Sequence, residues 1–264
     1  MEQRLLGNTG ESIPAIGLGT WQYTGGAIPL RKGVAMGAAL IDTAERYGTE
    51  GAVGEAIRDI RPDVFVATKV RHENLRYADV HRAADNSLEQ LGIDCIDLYQ
   101  IHRPNPEVPL AETLRALDEL IDAGKVRYIG VSNFSVAQCE EAQTLTRNRI
   151  VSNQVRYSLI DRTIERDLLP YCQKKDITVI AYSPLARSVD KMRSDLGRGV
   201  LTRVADSEGK TEAQVALNWC IAKRNVVAIP RASTVAHVED VCGAAGWRLS
   251  PDNVALLERA TGTA

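Results

Sequence analysis

Eight short apolar runs recur along this chain, each followed by a loop and a helical pattern, and this alternation most constrains the fold. The runs fall near residues 16–21, 38–41, 64–68, 96–101, 128–131, 150–154, 177–181 and 226–229. Each is too short for a helix and reads as a buried strand. Between them come amphipathic stripes: Val53, Ala56, Ile57 and Ile60; Val80, Ala84, Leu88 and Leu91, closed by Gly92; Leu110, Leu114, Leu117 and Ile121, entered at Pro109 and closed by Gly124. A glycine just past a helix supplies the left-handed residue that ends it. Ser135-Val136-Ala137-Gln138 and Thr211-Glu212-Ala213-Gln214 are capping-box patterns. Further helices are expected near 164–175, 235–244 and from Ser250-Pro251 to about Ala260.

Strand–helix alternation implies a parallel sheet, and eight units imply a closed α/β (β/α)8 barrel of the TIM type. An open doubly wound sheet ranks lower, because no Gly-x-Gly-x-x-Gly joins an early strand to a helix. Arg4-Leu5-Leu6 and Ser12-Ile13-Pro14 flank Gly7-Asn8-Thr9-Gly10, an N-terminal β-hairpin expected to close the barrel floor. The 264 residues suit one barrel domain over 1–264. A net charge of −2 gives no global pull toward nucleic acid or an anionic membrane. No apolar stretch is long enough for a membrane span. Five scattered cysteines, without a Cys-x-x-Cys pair, point to a reducing, cytoplasmic setting. With no long exposed apolar helix face, a monomer is expected.

The runs end in polar residues: Asp42, Lys69, His102, Ser132 with Asn133, Gln154, Tyr182 with Ser183, and Arg231. Barrel active sites lie at the C-terminal ends of the strands, so these side chains are expected to converge on one rim. Tyr47 follows Asp42 closely enough to reach over the same mouth.

In this order the motifs are specific. Gly17-Leu18-Gly19-Thr20-Trp21, Ile41-Asp42-Thr43-Ala44-Glu45-Arg46-Tyr47-Gly48, Ala67-Thr68-Lys69 and Gln100-Ile101-His102 come first. Gly130-Val131-Ser132-Asn133-Phe134, Ser152-Asn153-Gln154, Ala181-Tyr182-Ser183-Pro184-Leu185 and Ile229-Pro230-Arg231-Ala232-Ser233 complete the set. Over nearly its whole length the chain resembles the aldo-keto reductases, and the shorter bacterial members in particular. The resemblance implies metal-free reduction of a small carbonyl substrate with NADPH, NADH being tolerated. It carries the family's catalytic tetrad onto Asp42, Tyr47, Lys69 and His102. It assigns Tyr182 to stack on nicotinamide, and Ser132, Asn133 and Gln154 to hold its carboxamide. Ser183 and Leu185 match pyrophosphate contacts and Arg231 the adenosine 2′-phosphate contact. Gly19, Thr20, Trp21, Asp42, Ser233 and His237 are assigned to the same cofactor site. The pattern departs at Ala232, His237 and Val241, where a serine, an arginine and an asparagine are commoner.

These residue types suit carbonyl reduction. A phenol of ordinary pKa near 10 is a proton donor at neutral pH. A lysine beside it eases proton release, a carboxylate fixes the lysine, and an imidazole orients the carbonyl oxygen. Arg71 and Arg103, in loops 70–75 and 103–108, read first as solvated charges and second as a sign of an anionic substrate. The short run from the last helix to Ala264 implies an open pocket. Two rivals are a Schiff-base lyase using Lys69, disfavoured by a carboxylate that keeps the amine charged, and a non-catalytic cofactor-sensing module.

Overall fold

The computed structural model describes residues 1–197 and 199–262; Arg198, Thr263 and Ala264 lie outside the described residues. The chain opens with an antiparallel hairpin, β1 (Gln3–Leu5) and β2 (Ser12–Pro14). Strands β3 (Leu18–Gly19), β4 (Leu40–Asp42), β5 (Phe65–Val70) and β6 (Ile96–Ile101) follow. Then come β7 (Val126–Ser132), β8 (Ile150–Arg156), β9 (Thr178–Tyr182) and β10 (Val226–Ala228). β3 to β10 lie side by side in chain order and every neighbouring pair is parallel.

Backbone bonds between the first and last strands close the sheet into a ring. Gly17 N–H donates to the Ala228 carbonyl at 2.8 Å, and Ala228 N–H to Ala15 at 2.9 Å. Gly19 N–H reaches Pro230 O at 3.0 Å. A side chain at Gly19 would put its Cβ 2.7 Å from Ile229 O, so this seam requires glycine. Leu6 and Ile13 of the hairpin are fully buried and share one apolar cluster with Leu40, Phe65, Leu98, Val151, Ile180 and Val227. The hairpin thus plugs the barrel floor. Thr178 pins it, accepting from Gly7 N–H at 2.8 Å and donating to Leu5 O at 3.1 Å.

Around the ring run α1 (Ala27–Ala35), α2 (Glu50–Ile57), α3 (Tyr77–Leu91), α4 (Leu110–Asp122) and α5 (Val136–Leu145). They continue with α6 (Leu168–Lys174), α7 (Val189–Leu196), α8 (Val200–Glu208), α9 (Glu212–Ile221), α10 (Val235–Cys242) and α11 (Pro251–Ala260). Both expected capping boxes form, at Ser135/Gln138 and Thr211/Gln214. Gly92 ends α3 in the left-handed conformation.

Three helices escaped the sequence reading. α1 carries Pro29 and Gly33 inside its span; a Cβ at Gly33 would lie 2.5 Å from Leu18 Cδ1, so α1 packs closely on the first barrel strand there. α7 buries only Met192 and Leu196, too few apolar positions to show a period. α8 follows it within the same connection. The stretch expected as one helix over 164–175 begins as a tight turn, Thr163–Glu165, and α6 starts only after Asp167, which caps Leu168 N–H. Ile60 lies beyond α2. Among the described residues no helix is long and apolar enough to cross a membrane.

Candidate active site

β4 ends in Asp42 and β5 carries Lys69 at the neighbouring strand end, both buried. Lys69 Nζ donates to Asp42 Oδ1 at 2.6 Å and to the Thr43 carbonyl at 2.7 Å. The other Asp42 oxygen accepts from Gln154 Nε2 at 2.7 Å and more weakly from Gln100 Nε2 at 3.4 Å. A buried ion pair needs such added donors to offset its desolvation. Burial pushes the Lys69 amine down, but Asp42 and the Tyr47 phenol together outweigh it, and its pKa is raised. The lysine is held as a cation. The Thr49 hydroxyl bonds those of Thr20 and Thr43, each at 2.9 Å, and Thr20 also donates to Asp42 O at 3.0 Å. This hydroxyl chain braces the backbone that carries the pair.

Tyr47 stands on a tight helical turn, Glu45–Tyr47, stopped by Gly48 in the left-handed region. Its ring lies 5.0 Å from Lys69 Nζ, centroid to atom. Burial raises the Tyr47 phenol above its ordinary range, with the Lys69 charge pulling the other way, so it is protonated at neutral pH. His102, just past β6, packs edge-on against Tyr47 with ring centroids 5.4 Å apart. Burial, and then the charges of Lys69, Arg103, Arg46 and His72, lower its pKa to about 3. The imidazole is therefore neutral at neutral pH, and its buried Nδ1 has no hydrogen-bond partner among the described residues.

A cavity of about 780 Å³ runs from this cluster to the start of α10. Of the residues singled out from sequence, Gly19, Thr20, Trp21, Asp42 and Tyr47 line its near end. Ser183, Leu185, Arg231, Ser233 and His237 line the remainder. Ser132, Asn133, Gln154 and Tyr182 do not line it; they stand in or just past the C-terminal halves of β7, β8 and β9. Ser132 and Gln154 are turned inward, Ser132 Oγ donating to Gln154 O at 2.8 Å and the Gln154 amide engaging Asp42. Asn133, exposed and left-handed at φ 62, donates to His102 O at 3.0 Å and accepts from the Tyr182 hydroxyl at 3.0 Å.

Two features escaped the sequence reading. Gln100, under Asp42, lay within a quoted motif but carried no signal of its own. Arg187 lines the cavity from a turn in which Ser183, Ala186 and Arg187 all have positive φ, and its guanidinium carbon lies 5.9 Å from the Trp21 ring centroid. That turn contains no glycine, so nothing in the sequence marked its backbone.

A closed eight-stranded α/β barrel with a buried Asp–Lys pair, a phenol and a neutral imidazole at one strand-end cavity defines a class of oxidoreductase. The chain belongs to the aldo/keto reductase family, whose pattern matches residues 15–261. It is 38% identical to the methylglyoxal reductase YeaE of Escherichia coli over 98% of this chain and 95% of that one. A solved aldo/keto reductase from Klebsiella pneumoniae, in complex with NADP and acetate, is 36% identical and superposes with a TM-score of 0.90 over 97% of this chain and 94% of the other. A thermostable aldo-keto reductase bound to epalrestat is 42% identical, with a TM-score of 0.91 over 98% and 100% of the two chains.

Proposed function

We propose that this chain, acting as one barrel domain, reduces aldehydes or ketones to alcohols with NADPH, and that Tyr47 donates the proton. The observation that carries the proposal is a protonated phenol beside a fixed lysine cation, at one end of a cavity whose other end is lined by Arg231 and His237. The cavity's donors suit a dinucleotide. Arg231 offers a forked guanidinium for a phosphate. The left-handed turn at Ser183 to Arg187 offers the kind of backbone concavity that binds anions. Tyr182 offers an aromatic face next to the Asn133 amide.

Bound NADPH supplies the hydride that adds to the carbonyl carbon. Charge then builds on the carbonyl oxygen, and Tyr47 releases its proton to that atom. Lys69 stabilises the phenolate left behind, and water returns the proton afterwards. Asp42 holds Lys69 in place, and Gln154 holds Asp42. His102, neutral, orients the oxygen by hydrogen bonding without competing for the proton. Arg231 underlies the preference for NADPH over NADH. The raised pKa of Lys69 weighs against a Schiff-base role, which needs a neutral amine.

The test is NADPH oxidation over a panel of aldehydes and ketones, with methylglyoxal included, for wild type and Tyr47→Phe. The variant should lose kcat by about 10²- to 10⁴-fold, the range for a positioned general acid, while binding NADPH normally. Wild type that binds NADPH yet reduces nothing would move the reading to a cofactor sensor.

A further inference from the structure

Two neighbouring residues of β8 face opposite ways. Gln154 points into the barrel, where its amide engages Asp42 at 2.7 Å. Asn153 points outward between sheet and helices, as alternation along a strand requires, and it is fully buried. Its Nδ2 donates to Phe134 O at 2.9 Å and to Cys139 Sγ, in the first turn of α5, at 3.3 Å. Its Oδ1, also buried, has no hydrogen-bond partner among the described residues. A buried amide left half unsatisfied costs more than an apolar side chain of similar shape. The bonds from Nδ2 are therefore what this side chain contributes.

Those bonds act on the turn after β7. Asn133 holds a left-handed backbone there, φ 62, which costs less for asparagine than for most residues. β8 grips this turn at both ends. On the near side, the Gln154 carbonyl accepts from Ser132 Oγ at 2.8 Å and from Asn133 N–H at 2.9 Å. On the far side, Asn153 holds Phe134 O, and Ser135 then caps α5. Between these anchors the Asn133 amide donates to His102 O and accepts from the Tyr182 hydroxyl, each at 3.0 Å. A side chain buried outside the barrel thus fixes the backbone that aims an amide at the strand-end site.

We propose that Asn153 is a positioning residue for the nicotinamide end of the cofactor, acting through Phe134 O on the turn that carries Asn133. The proposal rests on the reductase reading above, in which Asn133 holds the carboxamide and Tyr182 stacks on the ring. It adds the residue that keeps the Asn133 amide in place.

The test measures two dissociation constants by calorimetry, for NADPH and for 2′-phospho-ADP-ribose, which is NADPH without its nicotinamide. The variants are Asn153→Leu, which removes the donor at similar size, and Asn153→Thr, which suits a strand but is one atom short of Phe134 O. In both, Kd for NADPH should rise about three- to tenfold, the worth of one hydrogen bond. Kd for 2′-phospho-ADP-ribose should stay within about twofold of wild type on the same reasoning. Amide hydrogen exchange should quicken over residues 133–135 and stay slow over 152–156. Equal weakening of both ligands, no change in either, or loss of the folded state in both variants would overturn the proposal and leave the reductase reading standing. Wild type that binds 2′-phospho-ADP-ribose as tightly as NADPH, and reduces no carbonyl compound, would overturn both.

Discussion

Asp42 is the residue on which the site's other contacts converge. One oxygen holds Lys69 and the other takes Gln154 and Gln100. Removing it strands a buried cation, so Asp42→Ala should cost about 3–5 kcal/mol in a urea unfolding titration, the range for breaking a buried pair. It should also lower kcat, because the lysine beside Tyr47 loses both its position and its charge. His102 gives a second outcome, in pH. Its folded pKa of about 3 lies below the ordinary 6.5. As pH falls from 6.5 toward 3 the unfolded chain takes up a proton that the native ring refuses, so stability declines over that window. His102→Asn should flatten the decline by about one proton, measured as the slope of unfolding free energy against pH. An unchanged slope would mean that native His102 titrates normally. At this scale the sequence was informative where a polar residue closes an apolar run, as at Asp42, Lys69 and His102. It was silent on where amides point. Gln154 was expected to face a cofactor, yet its amide also closes the site from below, because its partner lies 112 positions away in the chain.

Elements differ in how far local chemistry specifies them. α3, α5 and α9 carry their own stop or start signals, a left-handed glycine or a capping box, and each formed where its sequence placed it. α1 carries none and α7 only a Ser188 cap, and neighbours decide them: Leu18 packs onto Gly33 of α1, and Arg193 of α7 reaches across to Glu212 of α9. The hairpin lies between these cases. Its glycine turn is local, but its worth comes from filling the barrel floor. Ile13→Ala should cost about 2–5 kcal/mol, as buried aliphatic truncations do. Because Ile13 packs at the opposite end of the barrel from the strand-end site, its KM values should change little. A cost under 1 kcal/mol, by the same unfolding measurement, would mean that the hairpin packs loosely on the barrel.

For the whole molecule, the cavity joins segments from both ends of the chain: Trp21 and Gln22 on one side, Ser183 to Val189 across it, and Arg231 to Val241 beyond. Arg231 donates to Gln22 O at 3.1 Å, tying first and last strand ends together. A ligand spanning these segments should stabilise the closed barrel as one body. NADPH at a hundredfold over its Kd should add about 2.7 kcal/mol, or roughly 5–10 °C in Tm. A shift absent with NADPH but present with NADH would reverse the proposed cofactor preference. The sequence alone determined the alternation of strand and helix, the barrel it implies and the polar residues at the strand ends, because burial period and chain order are local properties. Only the tertiary structure decided the ring closure at Gly19, the double engagement of Asp42, the neutrality of His102 and the left-handed turn facing Trp21. Each depends on distances between segments far apart in the chain, and on the burial and charge that arise only once they meet.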